Sequence, residues 1–300
     1  MKIVITGANS AVGQAVLRCG SEQGSTNTFV AAVRSERAAN EVRPLLGAQN
    51  SIVRIAYDDP GSLRIAFHGA AAVIHLAGIL IERPGSTYEQ SNVETTRSVV
   101  EAAKQSEVKK LVLVSATGAN EASSNRYYRT KGQAEALVRA SGLAYTVLRA
   151  PLLLGPGTEG AAALKRNAGR SKAMLIGGGR NLQQPLYVDD LARAAIVAAQ
   201  FSVANSRTFD LVGPVSLPER ELVERAAELL GRQIVVRSIP RGLLAFGLAI
   251  RERFAGPGFS RDALEVIMAD TRLDPQPAAT QLGIKLTGIQ EMIKTSLSQG

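Results

Sequence analysis

An α/β fold, with a doubly wound parallel sheet and a smaller C-terminal region, is what this sequence predicts. Three observations carry that expectation. Ile3-Val4-Ile5 is a β-branched apolar run suited to a strand buried on both faces. The run breaks at Gly7, and a helix over roughly 12–19 follows, with Gly13 where that helix packs closely on the strand. Further apolar runs, at 28–33, 52–57, 71–76, 110–115 and 145–148, then alternate with helical stretches.

The first turn has its own chemistry. Free amides and the dipole of the first helix favour an anion over the turn, and a phosphate is the natural guest. The stretch reads Thr6-Gly7-Ala8-Asn9-Ser10-Ala11-Val12-Gly13. It resembles the Thr-Gly-x-x-Gly-x-x-Gly signature of short-chain dehydrogenases/reductases, their extended and atypical branches especially. The resemblance implies a Rossmann-type sheet over 1–155, to which the chain returns at about 183–213. A discontinuous substrate or partner region then fills 156–300. It also implies cofactor binding by Gly7, Asn9, Ser10, Ala11, Val12 and Gly13. Ser10 departs from the signature by replacing its middle glycine, so it either crowds the diphosphate or donates a hydroxyl to it.

The second strand, 28–33, ends at Arg34, with Arg37 soon after and Glu36 set back. In a Rossmann fold an acidic residue here binds the ribose of NAD, while an arginine accommodates the 2′-phosphate of NADP. Arg34 therefore favours NADP(H), with NAD the alternative. After the third strand Asp58 matches the family's adenine-binding aspartate. It, or Asp59 before Pro60, also suits a cap for the helix ending at Phe67. His75-Leu76-Ala77-Gly78 is similar to the family's His-x-Ala-Gly turn beside the second ribose, with Ala77 and Gly78 small where backbone meets ligand. A loop over 79–90 flanks this turn, and Asn92 is expected to begin a helix to about Ser106.

Tyr127 and Lys131 are four apart, so on a helix they share a face. They match the family's Tyr-x-x-x-Lys. An ammonium near a phenol favours phenolate and lowers its pKa, and the lysine would also hold the nicotinamide ribose. Tyr128 competes for the tyrosine's role. Ser115 or Thr117, after the fifth strand, would orient the substrate oxygen, Thr117 being preferred by its distance from the strand. Leu148-Arg149-Ala150-Pro151 resembles the stretch near the nicotinamide amide, where Pro151 suits a strand edge approached by a ligand.

Gly155-Pro156-Gly157 marks the break into the second region. A helix over 161–167 and a short strand over 174–179 are expected there, with Gly177-Gly178-Gly179 a turn rather than a phosphate loop. Asp189 or Asp190 would cap a helix over 191–200, and a strand follows at 208–212. A helix over 216–230 carries Pro218 in its first turn. The apolar run 243–250 is too short for the ~20 residues a membrane span needs. Flanked by Arg241, Arg251 and Arg253, it suits an interfacial helix, a partner helix or a pocket wall. The tail resembles the nucleotide-binding accessory subunit of respiratory complex I.

Composition narrows the classes. The chain has 300 residues and a net charge of +9, with aromatics at 4% and no tryptophan. Basic runs never exceed two, so base-stacking platforms are poorly supplied and no nucleic-acid partner is expected. One cysteine, Cys19, excludes an internal disulfide and a multi-cysteine metal cluster, and its place in the first helix suggests a buried thiol. Two histidines, His68 and His75, argue against zinc. A strand at the very N-terminus leaves no room for a signal peptide, so a cytoplasmic location is expected, with a small-molecule substrate and, as further options, a peripheral membrane or protein partner.

Two functions from different classes fit. One is an NADP(H)-dependent oxidoreductase acting at a carbonyl or alcohol carbon, or an epimerase/dehydratase built from the same parts. The other is a non-catalytic NADP(H)-binding accessory or redox-sensing protein.

Overall fold

The computed structural model describes residues 1–21, 26–200, 205–254 and 257–298. Seven parallel strands form one sheet. Six are labelled here: β1 (Lys2–Thr6), β2 (Thr28–Val33), β3 (Ser51–Arg54), β4 (Ala72–His75), β5 (Lys110–Ala116) and β6 (Ala144–Ala150). The seventh, Arg207–Asp210, lies beyond β6, and the spatial order is seventh-β6-β5-β4-β1-β2-β3. This is a Rossmann-type sheet, with its winding reversed between β1 and β4.

Helices cover both faces, as the near-continuous apolar strands require. On one face α1 (Ala11–Gly20) and the long helix Val188–Ala199 pack Val16, Leu17, Leu191, Ala195 and Ala198 against Ile3 and Ile5. On the other, α3 (Pro60–Phe67), α4 (Thr95–Gln105) and α5 (Arg126–Arg139) pack Leu63, Phe67, Val99 and Val138 against Val4, Val73, Leu111 and Leu113. The short helix α2 (Glu36–Val42) follows β2. A third apolar cluster joins Leu164, Leu175, Leu222, Met292 and Ile293. It draws on helices α6 (Glu159–Ala168), α8 (Glu219–Leu229) and α12 (Ile289–Ser298), where α7 denotes Val188–Ala199.

Several sequence expectations shift. β3 stops at Arg54 rather than 57, because this edge strand pairs with β2 alone, over four positions. The helix expected from Asn92 begins earlier, as a π-turn over Glu89–Glu94 that runs into α4. Asp189 and Asp190 sit inside the first turn of α7 and do not cap it. Asp189 pairs with Arg18 at 3.1 Å. Asp190, fully buried, accepts from the Thr287 amide at 2.7 Å and hydroxyl at 2.9 Å, tying the tail to α7. Pro218 is the N-cap of α8, preceded by a two-residue strand, because Leu217 and Pro218 pair with Gln183 and Leu182. The strand expected over 174–179 spans Lys172–Ile176 and pairs in parallel with Val235–Ile239. All three glycines after it have positive φ, between 60° and 75°, as a turn demands. Cys19 is half-buried, at the mouth of a groove of about 660 Å³ with Arg193 and the 283–288 loop.

One buried ion pair braces the sheet against α5. The fully buried Glu135 carboxylate accepts from Arg149 at 2.9 and 2.6 Å, and Arg139 adds a bond at 3.2 Å. Removing one partner of such a pair strands the other charge in a dry site. Arg149→Met is therefore expected to lose about 3 kcal/mol of unfolding free energy in a urea titration.

Candidate functional site: the crevice between β1 and β4

Strand order reverses between β1 and β4, so the chain leaves their carboxyl ends toward opposite faces and opens a crevice there. Close packing of backbone shapes its floor. Gly7 has φ +75°, and a Cβ on it would lie 3.3 Å from Leu76 C and Ala77 N. A Cβ on Gly13 would lie 2.4 Å from the Ala8 carbonyl oxygen, so no larger residue lets α1 sit this close to the turn.

Ser10 caps α1. Its hydroxyl oxygen accepts from the Gly13 amide at 3.1 Å. The oxygen of the serine in place of the signature's glycine thus caps the helix, while its hydroxyl proton is not committed by that bond. The Ala11 and Val12 amides of that first turn have no hydrogen-bond partner among the described residues. Asn9 is exposed and donates to Glu41 at 3.3 Å.

The far wall holds the candidate chemistry. A Cβ on Gly78 would meet Asn92 Oδ1 at 2.9 Å and the Lys131 ammonium at 3.4 Å. Lys131 is buried and donates to the Val114 carbonyl at 3.0 Å. Burial pulls its pKa down to about 8, and Glu135 opposes the shift. Asn92 uses both ends of its amide: Oδ1 accepts from Ile79 N at 3.1 Å, and Nδ2 donates to Thr130 at 3.1 Å. Asn125 caps α5, its Oδ1 accepting from Tyr127 N at 3.1 Å and Tyr128 N at 3.3 Å.

Tyr127 begins α5 one turn before Lys131. Its ring meets Tyr88 edge-on at 5.8 Å and Tyr128 at 5.7 Å. Burial, reinforced by the two neighbouring phenols, pushes its pKa well above the usual value. This is opposite to the direction expected from a lysine one turn away, because burial of the phenol outweighs it. Tyr128 packs on Gly118, where a Cβ would lie 3.0 Å from its ring. Ser115 Oγ, at the end of β5, is buried and has no hydrogen-bond partner. Thr117 is half-buried one residue past the strand, its amide on the Ala150 carbonyl at 3.1 Å. Pro151 directly follows β6.

At the opposite end of the crevice Arg34 is exposed just past β2, with no ion pair among the described residues. Its neighbours are committed elsewhere: Glu36 to Arg43 at 3.2 Å and Arg37 to Glu41 at 3.1 Å. Asp58 is exposed, while Asp59 caps α3 by accepting from Gly61 N at 2.9 Å. Arg149 turns to Glu135 on α5.

Sequence reasoning overlooked a buried polar chain under this floor. His75 bonds Thr6 Oγ1 through Nδ1 at 2.7 Å and Thr96 Oγ1 through Nε2 at 3.2 Å. Tyr57 reaches the same Thr6 hydroxyl and meets the His75 ring edge-on at 6.2 Å. Burial first, and then the Lys131 charge, push His75 down to about 3, so its ring is neutral. The polar residues at strand ends in otherwise apolar runs, Thr6 and His75, were the available signal.

The cradle fits a dinucleotide: a close-packed glycine floor, unpaired amides at a helix start, and a buried cation and orphaned hydroxyl on the far wall. A family model described as NAD(P)H-binding matches residues 7–175. The chain belongs to that family. It is 24% identical to a ceramide reductase of Caulobacter vibrioides over 83% of this chain and 77% of the relative. It is 28% identical to a 2-alkyl-3-oxoalkanoate reductase of Stenotrophomonas maltophilia over 80% and 78%. A mitochondrial NADH dehydrogenase 1 alpha subcomplex subunit 9 of Arabidopsis thaliana is 31% identical over 60% of this chain but 46% of its own length. Among solved structures, a UDP-glucuronic acid 4-epimerase from Bacillus cereus, held with UDP-glucuronic acid and NAD, superposes with a TM-score of 0.78. It covers 99% of this chain and 98% of its own at 17% identity, a likeness of fold. Among the described residues no helix is long and apolar enough to cross a membrane.

The Ser10 geometry gives a test. Ser10→Ala is expected to cost about 1 kcal/mol by thermal or chemical melting, because it removes the α1 cap. Ser10→Gly should cost only a few tenths of that unit, since glycine is tolerated at this position.

Proposed function

We propose that this protein is an NADP(H)-dependent reductase acting at a carbonyl carbon. The observation that carries the reading is the pairing of Tyr127 and Lys131 on one face of α5, with the Lys131 ammonium beside Gly78 at the crevice. Bound NADPH supplies the hydride. Tyr127 gives its phenolic proton to the carbonyl oxygen as that oxygen gains charge, its phenol being in the protonated form that a donor needs. Lys131 has three N–H groups and spends one on Val114, leaving two for ribose hydroxyls. The buried, unpartnered Ser115 hydroxyl fits the role of orienting the substrate oxygen, which favours it over Thr117.

NADP(H) is preferred over NAD(H) because Arg34 stands at the end of β2 without an acidic partner, while Glu36 is held by Arg43. The reductase relatives, each aligned over about four-fifths of this chain, favour a carbonyl substrate bearing an apolar chain. Sugar-nucleotide enzymes match in fold alone.

One observation favours a second reading, a non-catalytic nucleotide-binding accessory protein: Lys131 rests on Val114, and the Tyr127 phenol is stabilised in its neutral form. Turnover separates the two. Wild type and Tyr127→Phe are compared on a panel of ketones with NADPH while bound nucleotide is quantified. Loss of roughly 10²–10⁴ in kcat with nucleotide retained is the result the reductase reading expects. Tight nucleotide with no turnover in either protein would identify the accessory role.

Arg34→Ala tests cofactor choice. It should weaken NADPH binding by about tenfold or more while leaving NADH nearly unchanged, the loss of a charge-assisted contact to a phosphate. Titration calorimetry with both nucleotides checks this.

A further inference from the structure

The helix α9 (Arg241–Phe254) leaves one apolar stripe uncovered. Leu243, Phe246 and Ile250 fall on a single face by helical spacing and are 68%, 65% and 48% exposed, while Leu248 faces inward at 7%. Isolated exposed apolar residues are ordinary, but a stripe of three large ones is not.

The strand Val235–Ile239 leads into this helix, with Pro240 alone between Ile239 and Arg241. In the parallel pair Lys172–Ile176 with Val235–Ile239, Lys172 lies opposite Val235 and Met174 opposite Arg237, so all four share a face. All four are exposed, Met174 by 49% and Val235 by 50%. Large apolar side chains therefore alternate with cations along this edge.

The charge on this segment has one sign. Residues 229–251 contain Arg232, Arg237, Arg241 and Arg251 and no aspartate or glutamate. Arg251 is used internally, donating to the Phe259 and Pro257 carbonyls, and Arg232 donates to the Gly169 carbonyl. Lys172, Arg237 and Arg241 have no ion pair among the described residues.

We infer that this face docks on an anionic lipid bilayer. The apolar stripe enters the boundary between headgroups and acyl chains, and the flanking cations meet lipid phosphates. The 14-residue helix is about 21 Å long, enough to lie along the surface and too short to cross it. A two-fold contact with a second copy would set the same patch against itself and so confront like charges at Arg237 and Arg241.

The helix α9 is connected to the candidate site through the 257–261 loop. From α9, Arg251 and Glu252 hold the 257–261 loop, Glu252 pairing with Arg261 at 2.9 Å. Ser260 of that loop lies 3.4 Å from the Tyr88 hydroxyl, and the Tyr88 ring packs on Tyr127. The inference stands on the surface alone and does not require the reductase reading.

Flotation of the full chain tests it, with vesicles of phosphatidylcholine alone or mixed with phosphatidylglycerol. The protein should rise with the mixed vesicles, and the bound fraction should fall as salt increases. Leu243→Ser with Phe246→Ser should lower partitioning to mixed vesicles by about tenfold or more, given the apolar burial lost. Arg237→Glu with Arg241→Glu should remove the preference for mixed over neutral vesicles. Both variants alter exposed positions, so melting temperature and nucleotide binding should match wild type, which separates failure to dock from failure to fold. Wild type that stays at the bottom, or variants that float as it does, would overturn the inference. So would a dimer by light scattering that the serine variant dissolves, since the stripe would then belong to a second copy.

Discussion

The reversal of strand order between β1 and β4 is the constraint on which the candidate site depends. Connections to either side of that joint leave by opposite faces, so the joint cannot be covered by a crossing helix. What holds it closed from below is a register pair. Thr6 and His75 lie opposite one another on β1 and β4, both fully buried, and their side chains bond at 2.7 Å. An unsatisfied imidazole or hydroxyl here would carry the full desolvation cost. Thr6, His75 and Thr96 therefore satisfy one another, and Thr96 passes the chain on to the Asn92 carbonyl at 2.6 Å. The polar chain runs beneath the crevice from the Tyr57 side to the Lys131 side.

Electrostatics then assigns a single cation to the inner wall. His75 and Lys131 are near enough for the lysine charge to depress the histidine, and burial has already done most of that. A neutral imidazole has one donor and one acceptor; because Thr96 donates to the Asn92 carbonyl, His75 Nε2 is the donor to Thr96 and Nδ1 accepts from Thr6. Lys131, with a pKa of about 8, stays mostly protonated near neutrality. Burial acts against this charge, so folding stability rises with pH from the folded value toward the free lysine's 10.5, where the unfolded chain still binds the proton and the folded chain has released it. The protein keeps a costly ammonium at the place where a ribose hydroxyl could use it.

The sheet was legible because its signal is local. A β-branched run ending in Thr6-Gly7, repeated apolar runs and helical stretches between them need no distant partner to be recognised. Cap chemistry was legible in part: Asp59 before Pro60 is a local pattern, and it caps α3. Asp190 matched the same pattern but is drawn away by Thr287, 97 residues on, which no local window contains. Ser10 shows a related difficulty. A signature implies a glycine for the ligand's sake, yet the serine oxygen also caps α1 by accepting from the Gly13 amide. Arg149, in the stretch likened to one near the nicotinamide, is a strut to Glu135, a partner fourteen residues earlier on another element that the motif does not contain. Parallel pairing of Lys172–Ile176 with Val235–Ile239 joins segments about sixty residues apart, and the second strand, half exposed and mixed in character, has little periodic signal of its own.

The floor of the crevice is held by buried bonds. The π-turn at Glu89–Glu94 sets Asn92 so that one amide locks the loop after β4 to Thr130 on α5, fixing Gly78 and Lys131 at one separation. Such turns insert a residue into a helix at the cost of regular bonding and commonly accompany functional sites. The outer wall is held by side chains of α5 and its cap. Arg126, half exposed, reaches Glu82 at 2.9 Å and Asp262 at 4.0 Å, and lies over the Tyr88 ring at 5.4 Å. Glu82 is buried, so loss of Arg126 would leave its carboxylate without a counter-charge in a dry site. The loop over 79–88 and the start of the helix Arg261–Met268 are joined to α5 by these ion pairs and by the Asn125 amide, which donates to the Asp262 carbonyl and to Glu265 at 3.0 Å each. Both the floor and the outer wall are thus tied to the one helix that carries Tyr127 and Lys131.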